Sequence, residues 1–277
     1  MSPTSTSKGR SKGKLREIRI YSGENRQGPD VARLAKRVQG YFPPVKVIAR
    51  KPLHHLVKKK SVDELALRLA SARVKDPTSP LQAFEPMFGE VDYERRVLEG
   101  DARAGGIVYH GAKLEEIFSS ILGPRTEFST ASIVLTDRLV STFSRDDLRQ
   151  HLRTVVFGFP SVISIPGIIE APAKPREYYV LKQQLGEMSA ARLKSAMKGR
   201  FIDYEDDKAI ADVLEGLLLQ CVLFHLTLEP FCRNKGCRMF NAHWQEDLIH
   251  SQVTSKKFCK KHAELLCKLG EEPIIEW

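Results

Sequence analysis

Residues 229–252 read EPFCRNKGCRMFNAHWQEDLIHSQ, and FCKKH follows at 258–262. Cys232 and Cys237 have four residues between them, Cys259 and His262 have two, and twenty-one residues separate the pairs. Zinc takes four thiolate or imidazole ligands in a tetrahedron, and two short-spaced pairs from separate segments supply that set. Gly236, just ahead of Cys237, suits the tight turn that aims both thiolates at one ion. Arg233, Lys235, Lys256, Lys257, Lys260 and Lys261 crowd the same segment, and a positive field favours thiolates. Four protein ligands leave no open position, so the spacing predicts one structural zinc ion held by Cys232, Cys237, Cys259 and His262. All five cysteines fall between Cys221 and Cys267, and Cys267, among Leu265, Leu266 and Leu269, reads as a core residue.

Upstream of this module the pattern is of strands and helices in alternation. LREIRIYSG (15–23) and PVKVIAR (44–50) read as strands around a helix that starts at Pro29 and Asp30, with Val31, Leu34, Ala35 and Val38 on one face. Such an opening predicts a parallel pair joined by a right-handed crossover. Residues 61–74 read as a helix with a capping box between Ser61 and Glu64, and 75–104 as an irregular polar excursion. A strand at 105–111, a helix at 112–123, a strand over 131–143 turning at Thr136-Asp137-Arg138, and short strands at 153–157 and 161–165 follow. After Pro175 the pattern turns helical, over 176–200, 206–228, 243–252 (with Asn241 as its cap) and 260–269. The fold class expected is α/β or α+β, one compact domain with a mixed sheet flanked by helices. Its parts are a tail over 1–14, an α/β part over 15–175, and a helical part over 176–277 carrying the zinc module at 228–267.

Composition sets the partners. The 277-residue chain is 42% hydrophobic, with no uninterrupted apolar run long enough to span a bilayer, so no membrane partner is expected. No apolar segment opens the chain, so a cytoplasmic location is expected, where cysteines are thiols or metal ligands. Of the net charge of +10, Lys8, Arg10, Lys12 and Lys14 supply four in a Ser/Gly/Lys-rich tail read as disordered. With Lys58, Lys59 and Lys60 they are the candidate contacts for RNA or a ribosome, a reading that no RNA-stacking motif accompanies.

IVLTDRLVSTF (133–143), HLRTVVFGFPSVISIPGIIEAPAKPREYY (151–179) and the cysteine-bearing segments together resemble the archaemetzincins and an archaeal family of metallopeptidase type, over roughly residues 15–267. The resemblance implies a metzincin-like mixed sheet. Archaemetzincins carry HExxHxxGxxHC, in which three histidines hold catalytic zinc, the glutamate is the general base and the cysteine opens a structural site. With that cysteine on Cys232, the first histidine position is Cys221, the glutamate Val222, the second histidine His225, the glycine Leu228 and the third histidine Phe231. One histidine of three is present, and Val222 cannot take a proton from a zinc-bound water.

Three functions follow as expectations. The first is a metallopeptidase-family protein without HExxH catalysis, a zinc-stabilised domain that binds a peptide or protein. The second is a basic RNA- or ribosome-associated zinc protein. The third is an active metalloenzyme with a rearranged site: Cys221, His225 and Glu229 stand at i, i+4 and i+8, with His243 as a further ligand. Against the third, LLLQCVLFHL (217–226) is apolar nearly all round, as a buried helix is.

Overall fold

The computed structural model describes residues 13–25, 28–80, 83–123, 128–185 and 190–275. Residues 1–12, including Lys8, Arg10 and Lys12, lie outside the described residues. Lys14 does not continue the tail: it bridges Ile274, while Leu15 N donates to Pro273 O at 2.9 Å and Ile275 N to Gly13 O at 2.9 Å.

The expected β–α–β opening is present. Strand β1 (Glu17–Tyr21) leads to α1 (Val31–Gln39), whose Asp30 cap accepts from Arg33 N, and then to β2 (Lys46–Arg50), parallel to β1. Two 3-10 turns, Leu53–Leu56 and Lys59–Ser61, precede α2 (Val62–Ser71). The Ser61 capping box does not form. The turn holds Ser61 at φ −106° and ψ 10°, outside the extended cap conformation, and its side chain caps nothing.

Within the stretch read as irregular lies α3 (Phe88–Glu99). Its inward face is Glu94 and Val97 rather than an apolar stripe, so it has no hydrophobic period to read. Next come β3 (Val108–His110), α4 (Gly111–Leu122), β4 (Thr130–Thr136), β5 (Leu139–Ser144), β6 (Arg149–Arg153), β7 (Val155–Val156) and β8 (Ser161–Ser164). The C-terminal part holds α5 (Ile165–Glu170), α6 (Arg176–Leu185), α7 (Ala190–Ala196) and α8 (Asp207–Thr227). It ends with α9 (Gln245–Leu248), a π-helical turn over Ile249–Ser255, and α10 (Lys260–Glu271). Trp244, not Asn241, is the cap residue of α9.

The main sheet has the order β2-β1-β4-β8-β7, parallel throughout except for β7, and a second sheet has the order β3-β5-β6. Alternation divides its side chains between two cores. Ile18, Ile20, Ala131, Ile133, Leu135 and Ile163 face α1 and α8; Tyr21, Val134 and Val162 face α2 and α4. The result is a mixed α/β fold with helices on both faces of the sheet. Helix α8 is long and apolar enough to cross a membrane by length and composition, yet it lies in the larger core, with residues from β1, β4, α1 and the cysteine module around it.

Close backbone packing joins the cysteine-bearing end to the first strands. A Cβ added at Gly270 of α10 would lie 2.5 Å from Tyr41 O. Tyr41 N is itself bonded to Val38 O at 3.0 Å, so that backbone is not free to retreat. Gly270→Ala therefore lowers unfolding free energy by about 1–3 kcal/mol in spite of alanine's better helix propensity. Denaturant unfolding checks this; an unchanged midpoint would contradict the contact.

Candidate functional site

The CRNKGC loop folds back on itself. Cys232 N donates to Met239 O at 2.7 Å, Cys237 N to Asn234 O at 3.0 Å, and Gly236 N to Asn234 Oδ1 at 2.9 Å. Backbone amides then point at sulfur: Asn234 N to Cys232 Sγ at 3.4 Å, Met239 N to Cys237 Sγ at 3.5 Å, and Cys259 N to Cys237 Sγ at 3.4 Å. Cys259 is the cap residue of α10 and His262 stands in its first turn, so the positive end of that helix faces the thiols.

The ligand atoms of Cys232, Cys237, Cys259 and His262 all lie within 4.8 Å of one another. Zn–S bonds of about 2.3 Å in a tetrahedron require sulfurs about 3.8 Å apart. The Cys232 and Cys259 sulfurs are 3.8 Å apart, and Cys259 Sγ is 3.2 Å from His262 Nδ1. The donor set and its spacing fit one zinc ion with no position left open. Burial pushes the Cys237 thiol up to about 11. Cys259 is held below the ordinary thiol range: burial opposes this, but hydrogen bonds from the His262 backbone and from the other two thiols outweigh it. Burial and Lys261 lower His262, which favours the neutral, ligating imidazole. Two of the neighbouring lysines are engaged elsewhere, Lys235 with Asp247 and Lys256 with Asp212.

The expected rearranged site does not assemble. Among the described residues, the four-residue cluster above is the only group of three or more potential ligands within metal-binding reach. Cys221 is buried, and burial pushes its thiol up to about 12. His225 directs Nε2 to Phe128 O at 2.7 Å and packs edge-on to Phe159. Glu229 and His243 are exposed, and His243 O accepts from Ala173 N at 2.8 Å. Helix α8 ends at Leu228 in the left-handed region (φ 59°), which carries Glu229 off the helical face that i, i+4, i+8 spacing assumes. Around this end stand aromatic rings: Phe157 packs on Phe224 and Phe231, and Phe159 on Phe224 and Phe128. Phe128, Leu228 and Phe231 are exposed on this face. Lys58, Lys59 and Lys60 are exposed in the turn before α2, as is Lys14 on its bridge to Ile274.

Sequence reasoning missed a second polar cluster, at the carboxyl ends of β1 and β4. Arg138, 1% exposed, pairs with Glu24 and with Glu94, the latter at 2.8 Å. Glu94 also takes Arg73 at 2.6 Å and Tyr109 OH at 2.6 Å. Glu24 further accepts from Thr136 Oγ1 at 3.0 Å and Asp137 N at 2.8 Å. Asp137 turns the other way and accepts from Asn25 N at 2.8 Å. Its carboxyl is pushed up to about 6 by burial and then by Glu24, against the backbone amides and Arg138. The adjacent Asp137-Arg138 in TDRL was the available signal; its partners, more than forty positions away for Glu94 and more than a hundred for Glu24, carry none.

The sign of the Asp137 shift fixes a pH dependence. Folded Asp137 holds its proton more tightly than the unfolded chain does. Stability is therefore lost as pH rises from about 4 to about 6, and the full cost stands above that window. At pH 7.5, Asp137→Asn should raise unfolding free energy by up to about 3 kcal/mol, and at pH 4 by little. Denaturant unfolding of both proteins at the two pH values checks this, and a loss of stability at pH 7.5 would contradict it.

Two solved structures resemble this fold. Archaemetzincin from Methanopyrus kandleri matches at 13% identity and a TM-score of 0.44, over 92% of this chain and 94% of that one. A zinc-dependent peptidase from Methanocorpusculum labreanum matches at 12% identity and a TM-score of 0.39, over 90% of this chain and 99% of that one. No curated protein matches the chain. A family profile matches residues 14–269, nearly the whole described fold, and the chain belongs to the Probable metallopeptidase family (DUF6775).

Proposed function

We propose that this protein is a zinc-stabilised member of the metallopeptidase family that binds peptide or protein segments without HExxH hydrolysis. Cys232, Cys237, Cys259 and His262 hold the zinc, which when bound supplies folding free energy and no open coordination position. The observation that carries the reading is the aromatic face at the end of α8. Where the archaemetzincin pattern places its first zinc ligand, general base and third ligand stand Cys221, Val222 and Phe231. Cys221 and Val222 are buried, and Phe231 packs on Phe157. The one matching position, His225, is turned to Phe128 O.

What remains there is an exposed apolar patch of Phe128, Leu228 and Phe231, beside β7 at the end of the sheet order. Large exposed aromatics clustered on one face mark interaction surfaces. A segment laid along β7 would continue the sheet and set alternate side chains on these rings.

Elemental analysis of purified protein should give one zinc per chain. Cys237→Ala should lose it and lose more than about 3 kcal/mol of stability; a variant that keeps its zinc or its full stability would remove the assignment. The wild-type protein should leave peptide substrates uncut, and Phe231→Ser should weaken peptide capture on an array by about tenfold or more. Chelator-sensitive cleavage that His225→Ala or Cys221→Ala abolishes would replace this reading with the rearranged enzyme.

A further inference from the structure

We propose that the cleft over Asp137, at the carboxyl ends of β1 and β4, is a binding site for a small zwitterion of amino-acid or short-peptide type, with the ligand's ammonium group on Asp137. This site is separate from the aromatic face and does not rest on it.

Topology marks the place first. From β1 the chain crosses through α1 to β2 on one side, while β4 pairs with β1 on the other, all parallel. The loops that leave the carboxyl ends of β1 and β4 diverge, and in open α/β sheets such a switch point forms the ligand crevice. A cleft of about 630 Å³ lies there, and a neighbouring opening of about 570 Å³ shares Glu24, Asn25, Gly28 and Pro29 with it. Both volumes are in the range of small-ligand sites.

Charge then selects the ligand. In the buried network, Arg138 and Arg73 balance Glu24 and Glu94. Asp137 is the surplus carboxyl. It is 9% exposed, lines the cleft, and accepts a hydrogen bond from a backbone amide, Asn25 N. The backbone is shaped to hold it there: a Cβ at position 23 would stand 2.4 Å from Asp137 Oδ2, so Gly23 makes room for the carboxyl. The nearest cation among the described residues, Arg138, is already shared by Glu24 and Glu94; a carboxylate so placed, withdrawn from water, is costly, and a bound ammonium relieves the cost.

An anionic ligand fits poorly. The Asp30 side chain already occupies the first amides of α1 at Arg33 N, and of the arginines on the wall, Arg33, Arg37 and Arg103, Arg37 is taken by Asp212 and Glu215, while Glu24, Asp137 and Asp207 line the same cleft. A metal ion fits poorly too, since no ligand group of three assembles here among the described residues. The exposed Arg33 lies on the cleft wall for a carboxylate end, and Ile165, Ile169 and Ile210 line an apolar stretch for the body between. A free amino terminus, a short apolar body and a carboxylate answer all three.

Calorimetric titration of the full chain at pH 7.5 with trialanine, N-acetyl-trialanine and inorganic phosphate tests the assignment. Trialanine should bind, acetylation should weaken it by about tenfold or more through loss of the ammonium, and phosphate should not compete. Asp137→Asn should lose trialanine binding to the same degree while its unfolding free energy stays level or rises, which separates a ligand contact from a structural one. Gly23→Ala, which displaces the carboxyl, should behave likewise toward the ligand. Equal binding of the acetylated peptide, competition by phosphate, undiminished binding by Asp137→Asn, or no binding of trialanine at millimolar concentration would each overturn the proposal.

Discussion

Helix α8 runs through the middle of the larger core for 21 residues, and it carries carboxylates with it. Asp212 and Glu215 are buried, and a buried charge is tolerable only when paired and hydrogen-bonded. Their partners come from three other parts of the chain. Glu215 takes Arg238 at 2.9 Å, Arg37 at 3.0 Å and Tyr41 OH at 3.3 Å; Asp212 takes Arg37 at 3.3 Å and Lys256 at 2.7 Å. Arg238 follows Cys237 directly, and Lys256 closes the π-helical turn just before Cys259. The requirement to neutralise two acids in the core thus sets both halves of the cysteine module against α8. Cys232, Cys237, Cys259 and His262 converge because α8 has already placed the segments that carry them.

Packing around the same helix shows how little freedom is left. A Cβ on Gly216 would fall 1.7 Å from Gln252 Oε1, and Gln252 cannot swing away without giving up its bond to Arg238 O. Widening the turn at Ile249–Ser255 from α to π is what brings Ser251 and Gln252 inward together. A regular helical reading of 243–252 has no means of showing this, because the inward residues are polar and off the helical period.

That contrast separates what was legible in the chain from what was not. The strands β1, β2 and β4, the helices α1 and α8 and the two cysteine-bearing pairs announce themselves through period, apolar run and spacing, signals that depend on near neighbours. Helix α3 does not, because its buried face is built on Glu94, whose burial makes sense only beside Arg73, Arg138 and Tyr109. Ser61 and Glu64 satisfy the capping pattern in letters, but the preceding turn had set the backbone otherwise. At the site the grouping of Cys232, Cys237, Cys259 and His262 was readable from their spacing. The position of Asp137 was not, since an aspartate in a turn has a sufficient local explanation, and Gly23, which makes room for it, is more than a hundred residues away.

The bridge between Lys14 and Ile274 joins the two ends of the described fold. Helix α10 is therefore held at both of its termini, by the cysteine cluster where it starts and by the first strand where it stops. The described fold is in effect a ring, closed where Leu15 N meets Pro273 O and Ile275 N meets Gly13 O. Loosening the cysteines lets α10 pull on the segment that leads into β1, which lies between β2 and β4 in the sheet, and a nick in a surface loop is the change such an arrangement tolerates best.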